Sequence, residues 1–158
     1  MNMMKGIVAA AFVVLSVSAA SAEEKGAAPA KPSNAQLTPA ADMKWMDVPN
    51  MAGIKMAVAQ GDPMKGASHF FVKFAPGTTA PLHHHTADHY VTVISGTLTL
   101  GVDGKETKLG AGSFFAFLKK AKHTTACDAG AECLLSIDSR GKWDVVPAEA
   151  PKAEKPAK

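Results

Sequence analysis

Between residues 41 and 146, no window of ten or more residues carries a clear helical apolar period. The apolar residues fall in short runs instead, each cut off by a glycine turn. Alternation is weak over Ile54–Ala59 and strong in Phe70, Val72 and Phe74. Further runs cover Tyr90–Ile94, Thr97–Val102, Phe114–Leu118 and Leu134–Ile137. Turn residues punctuate them: Gly61-Asp62-Pro63, Pro76-Gly77, Ser95-Gly96, Gly110-Ala-Gly112 and Ala129-Gly130. Asp103-Gly104, between Thr97–Val102 and Lys105–Lys108, suits the two positive-φ positions of a type I′ hairpin. Short strands at this spacing predict an all-β sandwich or barrel. The 106 residues from 41 to 146 suffice for one such domain with its own core.

Four of the six histidines lie in one stretch of this span, Gly77-x5-His83-His84-His85-x3-His89-x6-Gly96, and His123 follows. Imidazole is a good ligand for first-row metals from iron to zinc, and several together fill most of a coordination sphere. His83, His85 and His89 share odd parity, so an extended chain presents all three on one face and His84 on the other. A run of three histidines also suits a tag fragment or a solvated cluster. Tags sit at termini, however, and this run is central, inside a strand-like pattern.

The ends of the chain read differently. Lys5, the apolar stretch Ile7–Val17 and the small residues Ala20-Ser21-Ala22 predict a signal peptide over residues 1–22, cut after Ala22. The apolar stretch is shorter than the roughly 20 residues needed to span a bilayer. The mature chain is thus expected in a periplasm or outside the cell, with no membrane association after cleavage. Removing Lys5 leaves 16 basic residues against 14 acidic ones, a net charge of +2. Residues 23–40 and 147–158, rich in Ala, Lys and Pro, predict a disordered linker and a disordered tail. Basic residues are dispersed, with no stripe that would suit nucleic acid. Lys119-Lys120-x-Lys122 reads as a solvated loop beside His123, with an anion clamp as the rival reading. In an oxidising compartment Cys127 and Cys133, with five residues between them, predict a disulfide across a hairpin, with thiolate ligation as the rival reading.

These residues resemble the cupin superfamily, whose first motif has the form Gly-x5-His-x-His-x(3–4)-Glu-x6-Gly. Gly77, His83, His85 and Gly96 meet it, with His89 in the place of the glutamate. The second motif, Gly-x5-Pro-x-Gly-x2-His-x3-Asn, is similar to the stretch from Gly112 to His123. Leu118 stands at its proline, Lys120 at its glycine and Cys127 at its asparagine. Tyr90–Leu98 also looks like its counterpart in bacterial single-domain cupins, and the resemblance covers roughly residues 44–146. It implies a jelly-roll (double-stranded β-helix) barrel with metal ligands His83, His85, His89 and His123. The implied cofactor is a divalent transition metal (Fe, Mn, Cu, Ni or Zn), and the implied assembly a homodimer.

Replacing the glutamate by His89 leaves a divalent ion at +2 among neutral ligands, a stronger Lewis acid, and removes a carboxylate base. Two function classes follow. One is a metalloenzyme doing oxidative, dioxygenase-like chemistry on a small organic molecule; the other is a non-catalytic module that binds a metal or a small ligand. Around the site, His69 reads as a packing or surface residue, or as a substrate contact if its face lines the lumen. Asp88 reads as a partner orienting a ligand or as a turn residue. Phe114, Phe115 and Phe117 read as core, or as lumen aromatics that make the pocket apolar, and Met51, Met56 and Met64 as filler, with copper handling as the rival reading.

Overall fold

A computed structural model of the chain describes residues 34–149. The predicted signal peptide, most of the predicted linker and most of the predicted tail lie outside them. The chain divides after Gln36, and the elements described here belong to the unit that begins at Leu37. A 3-10 turn, Ala40–Asp42, precedes eleven strands: β1 Met46–Asp47, β2 Ile54–Gly61, β3 Ser68–Phe74, β4 Thr79–His84, β5 His89–Ser95, β6 Thr97–Val102, β7 Lys105–Gly110, β8 Phe114–Phe117, β9 His123–Cys127, β10 Cys133–Ser139 and β11 Val146–Pro147. They form two antiparallel sheets, one ordered β1-β2-β3-β10-β5-β8 and the other β11-β4-β9-β6-β7. This is the jelly-roll read from the sequence.

The core follows from the period of two. Strand β3 alternates without a break, burying Ser68, Phe70, Val72 and Phe74, and its neighbour β10 buries Cys133, Leu135, Ile137 and Ser139. Phe70 and Leu98 are fully buried. Each such side chain contributes about 1.5–3 kcal/mol by leaving water. The β6–β7 hairpin takes the expected turn, with Asp103 at φ 51° and Gly104 at φ 76°, so that Val102 faces Lys105. Both central residues are left-handed, which matches the twist of the flanking strands.

Strand β4 breaks its own alternation. Ala80 and His83 both point inward, and the pairing with β9 shifts between them. Pro81 lies inside the shift. A proline cannot donate to a ladder and is tolerated at such an irregularity. The shift delivers His83 to the interior directly opposite His123. At the other end of the domain, the chain remains paired past residue 146: Pro147 faces His83, and the Ala148 N–H donates to Leu82 at 3.0 Å.

The two cysteines form a disulfide with a Cα–Cα distance of 5.9 Å. It does not close a hairpin. Strand β9 belongs to the five-stranded sheet and β10 to the six-stranded one, so the bond ties the two sheets together. The intervening segment crosses between layers, which a linear pattern of two runs and a Gly loop does not distinguish from a hairpin. Gly96, at φ 79°, runs against this bond: a Cβ there would meet Cys133 Sγ at 2.8 Å and the Glu132 carbonyl at 2.7 Å.

Candidate metal centre

Two sheets supply the histidines. His83 is the last residue but one of β4, His85 follows the strand in the turn, and His123 opens β9, all on the side of the five-stranded sheet. The chain then crosses to the other sheet, where His89 opens β5 beside Phe117 and Ser139. The shared parity therefore does not come from one extended strand, as the sequence reading assumed. The strand stops at His84, and a four-residue connection, 85–88, intervenes before β5. All four rings are nonetheless buried and line one cavity. His84, on the opposite side of β4, is only partly buried and is absent from the cavity wall.

Ligand atoms of His83, His85 and His123 lie within 4.8 Å of one another. Metal–nitrogen bonds run near 2.0–2.1 Å, so nitrogens on one ion are at most about 4.2 Å apart. The triad thus closes on an ion with side-chain movements below an ångström. His89 stands slightly outside this group, its ring centroid 4.5 Å from that of His85 and 6.3 Å from that of His123.

Each ring is held through the same nitrogen. Nδ1 of His83 bonds to the Pro81 carbonyl at 2.7 Å, that of His123 to Ala121 at 2.9 Å and that of His89 to Ala87 at 3.3 Å. Nδ1 of His85 bonds to the Asp144 carbonyl. A carbonyl accepts, so Nδ1 carries the proton in all four, and the Nε2 lone pair is left for a metal. Burial lowers the pKa of every ring, in His85 to about 3 and in His123 to about 4. Neighbouring histidines add to the shift. Neutral rings with fixed tautomers are the form a metal requires, so the donor set fits a divalent transition ion.

Stacking fixes the ring planes. His123 stacks on Phe117 with centroids 3.6 Å apart, and His85 on Trp143 at 4.0 Å. Trp143 and Asp144 therefore grip His85 from both its face and its edge, and Asp144 also accepts from the Thr86 N–H and hydroxyl at 2.7 and 2.6 Å. Sequence reasoning missed both residues. The available signal was an isolated tryptophan in the otherwise polar stretch after β10, a large apolar side chain with no strand pattern to explain it.

The remaining candidates separate clearly. His69 faces outward from β3 and bonds to Ser136 Oγ at 3.1 Å. The His89 Nδ1–H goes to the Ala87 carbonyl rather than to Asp88, whose carboxylate accepts from the Lys119 N–H at 2.8 Å and whose carbonyl accepts from the Arg140 N–H at 2.9 Å. Asp88 therefore anchors the turn that leads into His123. In that turn Lys120 takes φ 61°, the left-handed conformation for which glycine is better suited, and Lys119 and Lys122 are exposed beside it. Phe115 and Phe117 line the cavity, whereas Phe114 is 63 % exposed on the outer face of β8 and is not core. Met51 and Met56 also line the cavity, but Met64 is exposed.

A buried cluster of histidines in a jelly-roll barrel defines a class of small metal-site β-proteins. Residues 70–137, which include all four buried histidines, match the family model described as the cupin domain. This match and the solved structures of the same fold support the cupin resemblance read from the sequence. Solved structures share this fold. The polyketide cyclase RemF from Streptomyces resistomycificus is 16% identical with a TM-score of 0.61, over 75% of this chain and 88% of that one. KdgF from Halomonas sp. is 20% identical with a TM-score of 0.57, over 66% and 94%. An RmlC-like cupin from Shewanella frigidimarina is 20% identical with a TM-score of 0.56, over 67% and 91%. No curated protein matches the chain.

Proposed function

We propose that the protein is an exported metallo-cupin that carries out oxidative, dioxygenase-like chemistry on a small organic molecule, with His83, His85, His89 and His123 as the ligands. The observation that carries this reading is the set of four buried rings, each donating Nδ1–H to a backbone carbonyl and aiming Nε2 into one apolar cavity. A bound iron, manganese, copper, nickel or zinc ion would supply Lewis acidity there, and the first three also one-electron redox chemistry. The chain's own residues orient the ligands and exclude water. Phe117 and Trp143 cover the rings, and the aliphatic wall keeps the dielectric low. The disulfide supports export, because such bonds persist in oxidising compartments. Among the described residues no helix is long and apolar enough to cross a membrane.

Metal-reconstituted protein should consume oxygen in step with the loss of a small organic substrate. No oxygen uptake with any of the five metals across a broad substrate panel would contradict the reading. One observation favours a binding module instead: among the described residues lining the cavity there is no Asp, Glu or Lys to serve as acid or base. In that case metal or ligand binding persists without turnover.

A further inference from the structure

The wall of the cavity carries no charge. Among the described residues that line it, the polar groups are the four histidines, the Thr125 hydroxyl and the Trp143 indole, and no Asp, Glu, Lys or Arg reaches it. The rest is hydrocarbon and thioether, with Val72, Leu135 and Ile137 on the six-stranded sheet and Met51 and Val145 from its flanking segments. The imidazoles are neutral ligands, because each commits its N–H to a backbone carbonyl and offers a lone pair only. A divalent ion among them would bring two positive charges into an apolar enclosure whose wall holds no counter-charge, since the Asp88 and Asp144 carboxylates act on His89 and His85 only from outside it. Uncompensated charge in such surroundings is strongly disfavoured.

We infer that the occupant of this cavity supplies the missing negative charge: a small organic anion whose oxygen faces the histidines and whose body is hydrocarbon. The inference rests on the metal-centre reading above and specifies its ligand. The cavity measures about 60 Å³, room for on the order of four water molecules, so the occupant is small. A sugar would bring several hydroxyls with Thr125 alone among aliphatic neighbours to meet them. A dicarboxylate would lay its second charge against valine, leucine and isoleucine. The protein binds neither well.

The test uses the full chain loaded with Co²⁺ and titrated without oxygen, following the visible d–d bands and the heat of binding. Four probes separate the contributions: acetate, pivalate, succinate and the neutral ketone pinacolone. Pivalate is expected to bind at least tenfold tighter than acetate, because its methyl groups leave water for the apolar wall. It should also bind at least tenfold tighter than succinate and pinacolone. Equal or tighter binding of any of the other three overturns the inference, as does a pivalate titration that leaves the cobalt bands unchanged. Pivalate binding at the expected affinity, with no oxygen consumption on any substrate, upholds the inference and removes the oxidative reading. Oxygen consumption on a sugar or a dicarboxylate does the reverse. Protein that takes up no Co²⁺ overturns both.

Discussion

At the scale of single residues, the centre is made by backbone carbonyls as much as by histidines. The carbonyl two residues before His83, His89 and His123 fixes each tautomer, a local device that any strand or turn of suitable geometry provides. His85 alone depends on a distant segment, through Asp144 and the stacked Trp143. Replacing Trp143 by Ala should therefore weaken metal retention about 10–100-fold, the usual cost of losing a group that orients a ligand, while His84→Ala changes it by less than threefold. Isothermal titration with Zn²⁺ checks both, and a stronger loss from His84→Ala would place the strand register one residue out. The buried rings also make stability depend on pH. Folded pKa values near 3 for His85 and 4 for His123 lie below the ordinary 6.5. The unfolded chain therefore takes up protons first as the pH falls. The contribution is fully present above about pH 6.5 and is lost progressively towards pH 4. Urea midpoints of the metal-free protein at pH 7.5, 5.5 and 4.5 should fall in that order, and a flat profile would contradict the burial argument.

At the scale of elements, the sequence was most legible where period and turn agreed. Strands β3, β5, β6 and β10 were readable from their alternation, and the β6–β7 turn from Asp103-Gly104. Strand β4 was obscured by its bulge at Pro81, and β1 and β11 are two residues long, too short for any period. Which sheet each strand joins is a long-range property, and for that reason the disulfide was expected across a hairpin although it bridges two layers. The bond encloses a short loop, Cys127 and Cys133 being six positions apart in sequence. Loop entropy then gives it about 2 kcal/mol. Changing both cysteines to Ala should lower the melting temperature by roughly 10 °C for a domain of this size. Differential scanning calorimetry with and without reductant checks this, and thiol titration of unfolded, unreduced protein should find none free.

At the scale of the whole molecule, the apolar surface is uneven. Phe114 and Ile94, 63 % and 43 % exposed, lie with Tyr90, Phe71 and Leu134 on the outer face of the six-stranded sheet. The homodimer that the family resemblance implies would cover such a face. Light scattering after size exclusion should give twice the mass of the chain, and Phe114→Lys should shift the population towards monomer. A monomeric wild type at micromolar concentration would contradict this. The central claim, that buried histidines from both sheets hold one metal ion, is tested most directly by elemental analysis. The protein is offered Fe, Mn, Cu, Ni and Zn in turn and then dialysed exhaustively. About one ion per chain should remain in the wild type with at least one of these metals and be lost from His123→Ala. A wild type that retains none, or a His123→Ala variant that keeps the full complement, would contradict the account.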